Sequence, residues 1–214
     1  MRAKDLIKVS AGLILSICLF PTTIMAQAKV NIPDELKNTY ELTPDYIRYT
    51  FENEGWDLEC VNGMEINKAY GYGEYTDKGY EIAGVTVYDI KTIYLSDNSR
   101  YAETSLNHEI GHYLDYSYYT YYGIQPSMTD EFLEIFNEEA AISYMFESYE
   151  LSDVREYFAQ SYREFLHNND ALSKFYPRTY NYMLRIIDDY QTAVENNLSH
   201  QYNGEIFMMA AKHK

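Results

Sequence analysis

His108-Glu109-Ile110-Gly111-His112 is the stretch on which the reading of this chain turns. Four residues of α-helix rotate through about 400°, so His108 and His112 point the same way, one turn apart. Two neutral imidazoles on one helical face suit a single Zn²⁺ ion. In the pattern H-E-x-x-H the residue after the first histidine, here Glu109, acts as a base. It takes a proton from a zinc-activated water and passes it to the leaving amine. The spacing therefore predicts a helix that carries two metal ligands and a general base.

Working outward, Ser96-Asp97-Asn98-Ser99 is a polar cluster that stops one element and opens the motif helix. Ala102, Leu106, Ile110, Tyr113 and Leu114 make its apolar stripe, with His108, His112 and Asp115 to one side. Gly111 weakens the helix relative to alanine, but its missing Cβ lets another element come close. Upstream, Trp56–Val61, Tyr80–Tyr88 and Thr92–Leu95 read as strands of a small antiparallel sheet, with Gly63, Gly71, Gly73 and Gly79 at turns. Thr43-Pro44-Asp45 reads as a helix start, with Thr43 as the cap and Gly55 as the stop. Downstream the chain is almost wholly helical: Ser127–Phe146, Ser152–Leu166, a short helix before Pro177, and Arg178–Asn196. The weakly patterned tail from Asn197 is expected to fray.

The N-terminus reads as an address. Arg2, Lys4 and Lys8 precede a short apolar run from Val9 to Phe20, and Ala26-Gln27-Ala28 is a small-x-small cleavage site. The expectation is a secretory signal over 1–28, a mature chain from Lys29 forming a single domain over 29–214, and an extracellular location. No segment is apolar over enough residues to predict a membrane span. The formal net charge of −16 argues against nucleic acid as a partner, because phosphate contacts need basic patches. Cys60 alone remains after the signal, so the mature chain has no internal disulfide to draw on. The 25 tyrosines cluster after the motif, and half-buried packing accounts for most of them.

Catalytic zinc sites keep three protein ligands, so one is still to be found. The metzincin continuation is absent, since Asp115 and Tyr118 stand at its Gly and His positions. His167, His200 and His213 sit at a helix end or in the tail, and His167 reads as a partner for the helix dipole. A carboxylate on a downstream helix is expected, and two compete. Glu138 resembles the ligand of the N-E-x-x-x-D helix of thermolysin-like enzymes, without its Asp. Glu156 shares a helical face with Ala159, Gln160 and Arg163.

His108-Glu109-Ile110-Gly111-His112-Tyr113-Leu114-Asp115, followed by Tyr149 and then by Glu156-Tyr157-Phe158-Ala159, resembles the catalytic domain of anthrax lethal factor. It is similar also to the small secreted clostridial Pro-Pro endopeptidases. The likeness runs from about Ile93 to Ile187, and Gln160 stands where lethal factor has an acid. The resemblance implies an α+β zincin-like domain, a small twisted sheet over a helical lower half with the cleft between them. It implies one Zn²⁺ held by His108, His112 and Glu156, with Glu109 as base and the Tyr149 hydroxyl directed at the metal site. It implies a metalloendopeptidase, with a protein or peptide substrate laid along an edge strand of the Tyr80–Leu95 region. Asp115, one turn beyond His112, is expected to support the site or simply to pack. A monomer with no stable membrane insertion is expected. A Tyr-rich binding or adhesion module on a protease-like fold is the alternative, and it would require loss of a ligand or of the base.

Overall fold

The computed structural model describes residues 30–69, 82–142, 145–146 and 149–212. The expected signal segment, the turn glycines at 71, 73 and 79, and the start of the second strand at Tyr80 lie outside the described residues. Eight helices and three strands are described. They are α1 (Lys37–Glu41), α2 (Asp45–Asn53), β1 (Asp57–Val61), α3 (Gly63–Ala69), β2 (Gly84–Val87), β3 (Thr92–Ser96), α4 (Ser99–Tyr122), α5 (Asp130–Glu139), α6 (Val154–His167), α7 (Asn169–Phe175) and α8 (Pro177–Lys212). This is an α+β architecture with a small sheet and a helical majority.

The sheet order is β1-β3-β2. β2 pairs antiparallel with β3, from Gly84 opposite Leu95 to Val87 opposite Thr92. β1 pairs parallel with β3, from Asp57 opposite Thr92 to Val61 opposite Ser96, so the sheet is mixed rather than antiparallel. The reason lies in the connection: a parallel pair needs a crossover, and α3 begins at Gly63 where the sequence suggested only a turn. Between β2 and β3 the chain turns through Tyr88–Ile90, with Lys91 in the left-handed region at φ 52.

α4 is the central element. Every residue from Ser105 to Asp115 is buried, polar and apolar alike. A helix is buried all round only when neighbours cover both its faces. Here β2 and β3 lie on one side and α6 on the other. Asn98 caps its start by accepting from the Arg100 amide at 3.2 Å. The core that encloses it runs from Leu36 and Trp56 through Ile93, Leu106 and Ile110 to Phe132, Phe158 and Tyr190. Tyr113, Tyr157, Tyr162, Tyr176 and Tyr190 are among its fully buried side chains, so much of the tyrosine richness is packing.

Local hydrogen bonds account for the differences at the helix limits. Thr43 does not cap α2, because its hydroxyl accepts from the buried Asn107 amide at 3.0 Å. The long helix expected over 127–146 is a 3-10 turn at Pro126–Met128 and then α5, restarted by Thr129, whose hydroxyl caps the Phe132 amide at 3.1 Å. Glu139 ends α5 and caps α8, accepting from the amides of Arg178 and Thr179 at 3.0 and 2.9 Å. α8 continues through Lys212, past the point where fraying was expected. At the C-terminus of α2, Glu54 accepts from the Tyr113 hydroxyl at 3.2 Å and from Ser117 at 3.1 Å. The Tyr190 hydroxyl joins Ser117, at 2.7 Å, to Thr50, at 2.8 Å, so one polar knot ties α2, α4 and α8 together.

Candidate metal centre

His108 and His112 leave the same face of α4, their rings 4.9 Å apart. Across from them α6 begins at Val154, its start capped by Asp153 accepting from the Arg155 amide, and Glu156 stands in its first turn. Nε2 of His108 lies 3.1 Å, and Nε2 of His112 3.4 Å, from the same Glu156 oxygen. One ligand atom from each residue falls within 4.8 Å of the other two. Tetrahedral zinc with bonds of about 2.0–2.1 Å separates its ligand atoms by roughly 3.3 Å, so this donor set fits the ion in both chemistry and spacing. Burial pulls the His108 imidazole down, but Glu156 and Glu109 outweigh it and leave its pKa raised. Burial pushes the Glu156 carboxyl up, and the two imidazoles more than reverse that, holding it well below the usual carboxylate range.

What brings α6 so near is the absence of a side chain. A Cβ on Gly111 would stand 2.8 Å from both Cα and O of Ala159, the small residue three positions after Glu156. Gly111→Ala should therefore part the helices that carry the two halves of the centre. Overpacking against backbone costs about 1–3 kcal/mol, against a gain in helix propensity of roughly 1 kcal/mol. The variant should melt lower and bind zinc more weakly than the wild type. A higher melting temperature with unchanged zinc affinity would refute this.

Glu109 is buried beside the cluster and is held from the sheet side. Thr86 on β2 donates to Glu109 Oε2 at 2.7 Å, and Ser105 donates to Oε1 at 3.3 Å. A Cβ on Gly84 would collide with Ser105 Oγ and, at 2.8 Å, with Glu109 Oε1, so β2 lies directly on the Glu109 carboxyl. The other side of His108 is also held: Nδ1 sits 3.0 Å from Gln160 Oε1.

The remaining candidates separate clearly. Glu138 is on the outer face of α5, paired with Arg178, and is not among the three clustered groups. Tyr149 lies on the turn before α6 and is 61% exposed, its carbonyl accepting from the Ser152 amide. Asp115 accepts from the Ser127 amide and hydroxyl at 2.7 and 2.6 Å and from Gln125 at 2.6 Å, so it anchors the loop after α4. His167 ends α6 and meets Asn107 at 2.7 Å. Ser105 and Gln160 were open to periodicity, each four residues from a motif residue on its own helix. Thr86 and Gly84 carried no such signal, since only the sheet's placement brings them to Glu109.

An H-E-x-x-H helix packed between a small mixed sheet and a helical half, with a third donor from the lower half, is a zincin-like metalloprotease fold. The chain belongs to the anthrax toxin lethal factor family, whose "Anthrax toxin lethal factor, N- and C-terminal domain" matches residues 57–186. That match reaches back to the first residue of β1, well before the Ile93 limit of the likeness read from the sequence. A Pro-Pro endopeptidase from Paenibacillus alvei has a similar structure, with a TM-score of 0.55 at 20% identity, over 71% of this chain and 88% of that one. No curated protein matches the chain.

Proposed function

We propose that this protein is a secreted zinc metalloendopeptidase, with His108, His112 and Glu156 as the ligands and Glu109 as the base. The observation that carries the reading is the convergence of those three ligand atoms within 4.8 Å beside a buried Glu109. Family membership and the fold shared with an endopeptidase support it. When bound, zinc supplies the Lewis acidity that activates a water and polarises the scissile carbonyl. Glu109 takes the proton of the attacking water and hands it to the leaving amine, its carboxylate kept in place by Thr86 and Ser105. An extended substrate adds its backbone to the edge of β2, whose other edge is paired with β3. The segment 1–28 directs export, and the secreted form should have the intact mass of a chain starting at Lys29.

The test of the activity is a peptide library digested with and without a zinc chelator, with the cleavage sites mapped. Internal cleavage abolished by the chelator and restored by zinc is expected. Bound zinc without cleavage would turn the reading toward a binding module, and release of terminal residues alone toward an exopeptidase.

Tyr149 is the proposed donor to the developing oxyanion, and Tyr149→Phe isolates that role. The ring stays, so zinc content and melting temperature should hold. One hydroxyl aimed at transition-state charge is worth roughly 3–4 kcal/mol, a loss of about a hundred- to a thousandfold in kcat with KM little changed. Near-normal kcat with zinc retained would remove Tyr149 from the mechanism.

A further inference from the structure

β2 follows α4 in α4's own direction. Gly84 lies over the Glu109 carboxyl, Thr86 Oγ1 reaches the Glu109 carbonyl at 3.2 Å, and Tyr88, the residue after β2, rests on Tyr116. The Tyr88 and Tyr116 ring centroids are 5.1 Å apart, and Trp56 stands perpendicular to Tyr88 at 6.2 Å. Trp56 is buried and also packs on Tyr116, at 5.9 Å, so the three rings brace one another at the end of the strand. Tyr116 is one turn of α4 beyond His112, which places the cluster next along the helix from the metal centre.

The surroundings of the Tyr88 hydroxyl show which way the ring points. Burial does most to raise its pKa, the charges of Asp115, Glu109 and Glu156 add to it, and Arg155 opposes them. Glu109 and Asp115 are on α4, whereas Arg155 and Glu156 open α6. The ring therefore reaches from the end of the sheet toward the start of α6, with the hydroxyl as its enclosed end. Tyr88 is nevertheless 38% exposed. With its tip enclosed and Tyr116 against it, what stays open among the described residues is apolar ring surface. The carboxylates around it are not free to hold a cation. Asp115 is taken by Ser127 and Gln125, Glu109 by Thr86 and Ser105, and Glu156 faces the two imidazoles.

We propose that Tyr88 is a specificity-determining residue of the cleft, whose ring receives a large apolar side chain of the substrate. This deepens the endopeptidase reading and rests on it. An extended chain on the edge of β2 presents alternate side chains to one side, about 7 Å apart. With the scissile bond at Glu109, the side chain that lies on Tyr88 belongs to a residue about two positions away. A ring already held by Tyr116 and Trp56 has little freedom left to lose on contact, so flat or bulky apolar groups gain most from it.

The zinc-loaded protein is given peptides in which each position in turn is Phe, Leu, Ala or Lys. One position should prefer Phe and Leu over Ala and Lys by at least about tenfold in kcat/KM. Tyr88→Phe keeps the ring and should keep that preference. Tyr88→Ala should lose most of it at that position alone, with zinc content unchanged. A purely structural role predicts a lower melting temperature and an equal loss on every peptide. That uniform loss, an unchanged profile in Tyr88→Ala, or a preference for Lys at the affected position would overturn the proposal. Should Tyr88→Ala not fold, Tyr88→Leu decides, because it keeps bulk against Trp56 and removes the flat face. Its ratio of Phe to Leu should fall by roughly 2- to 10-fold, and an unchanged ratio sinks the proposal.

Binding is measured separately, with chelator present, by amide chemical-shift titration with blocked hexapeptides of alanine carrying one central Phe, Ala or Lys. The indole N–H of Trp56, the single tryptophan of the chain, is the nearest reporter in the wild type. The Phe peptide should bind at least about tenfold more tightly than the other two, and Tyr88→Ala should abolish the difference. Equal binding of the three by the wild type sinks the proposal whatever the activity. A wild type that cleaves nothing but shows this binding pattern counts against the protease reading and leaves the Tyr88 site standing.

Discussion

Replacing Glu109 by Gln should leave zinc bound and lower kcat by roughly 10²- to 10⁴-fold, the range for loss of a positioned acid–base group. The amide has the shape of the carboxyl; its oxygen can accept from one of the Thr86 and Ser105 hydroxyls while its NH₂ donates to the other, so the packing under β2 should survive. What it lacks is the ability to take a proton at the moment the water attacks. The loss should fall on kcat and on kcat/KM alike, because no ground-state contact to substrate is removed. Zinc stoichiometry, melting temperature and kcat measured on one preparation check it. A variant that keeps zinc and cleaves at near wild-type rate would dismiss Glu109 as the base.

Glu156→Ala should fail in the opposite way, by losing the metal. It removes one of the three proposed protein ligands, so zinc affinity should fall by more than the roughly 10- to 100-fold typical of a residue that only supports a ligand. It also leaves His108 and His112 without the carboxylate that both imidazoles face. Glu138→Ala is the matched control: it breaks a surface pair with Arg178, and surface pairs contribute little, about 0–1 kcal/mol. Equilibrium dialysis of both variants decides the ligand assignment. Full zinc in Glu156→Ala together with loss in Glu138→Ala would reverse it.

The parts of this protein that a reader of the sequence can see are the local ones. His108 and His112 are legible because helical spacing alone puts them on one face. So is the closeness of α4 and α6, since Gly111 and Ala159 are both small where a contact was needed. Glu156 is half legible: its helical face could be drawn, but choosing it over Glu138 required a motif known from a family, because the distance between helices is not written in either. The parallel pairing of β1 with β3 depends on where the chain goes between residues 62 and 91, and no strand pattern encodes that. The same holds for Thr43, an ideal cap by type whose hydroxyl was claimed by Asn107, 64 residues away. The Thr86 contact with Glu109 was hidden for the same reason.

The knot at Glu54 has a consequence for how the fold meets acid. Burial raises the Glu54 pKa above its ordinary value of 4.5, with Ser117, Tyr113, Tyr121 and Lys91 only partly offsetting it. A carboxyl with a raised folded-state pKa binds its proton more tightly folded than unfolded. Its contribution to stability is therefore full below about pH 4.5 and is lost as pH rises through the folded value. Asp115, also raised chiefly by burial, acts in the same direction, and a net charge of −16 adds self-repulsion near neutrality. Glu54→Gln keeps a hydrogen-bond acceptor for Tyr113 and Ser117 without the buried charge. It should raise the melting temperature at about pH 7 and make little difference at about pH 4, where the wild-type group is already neutral. A melting curve for each protein at both values checks the sign. At this point in its core the molecule is sturdier in a mildly acidic medium than in a neutral one.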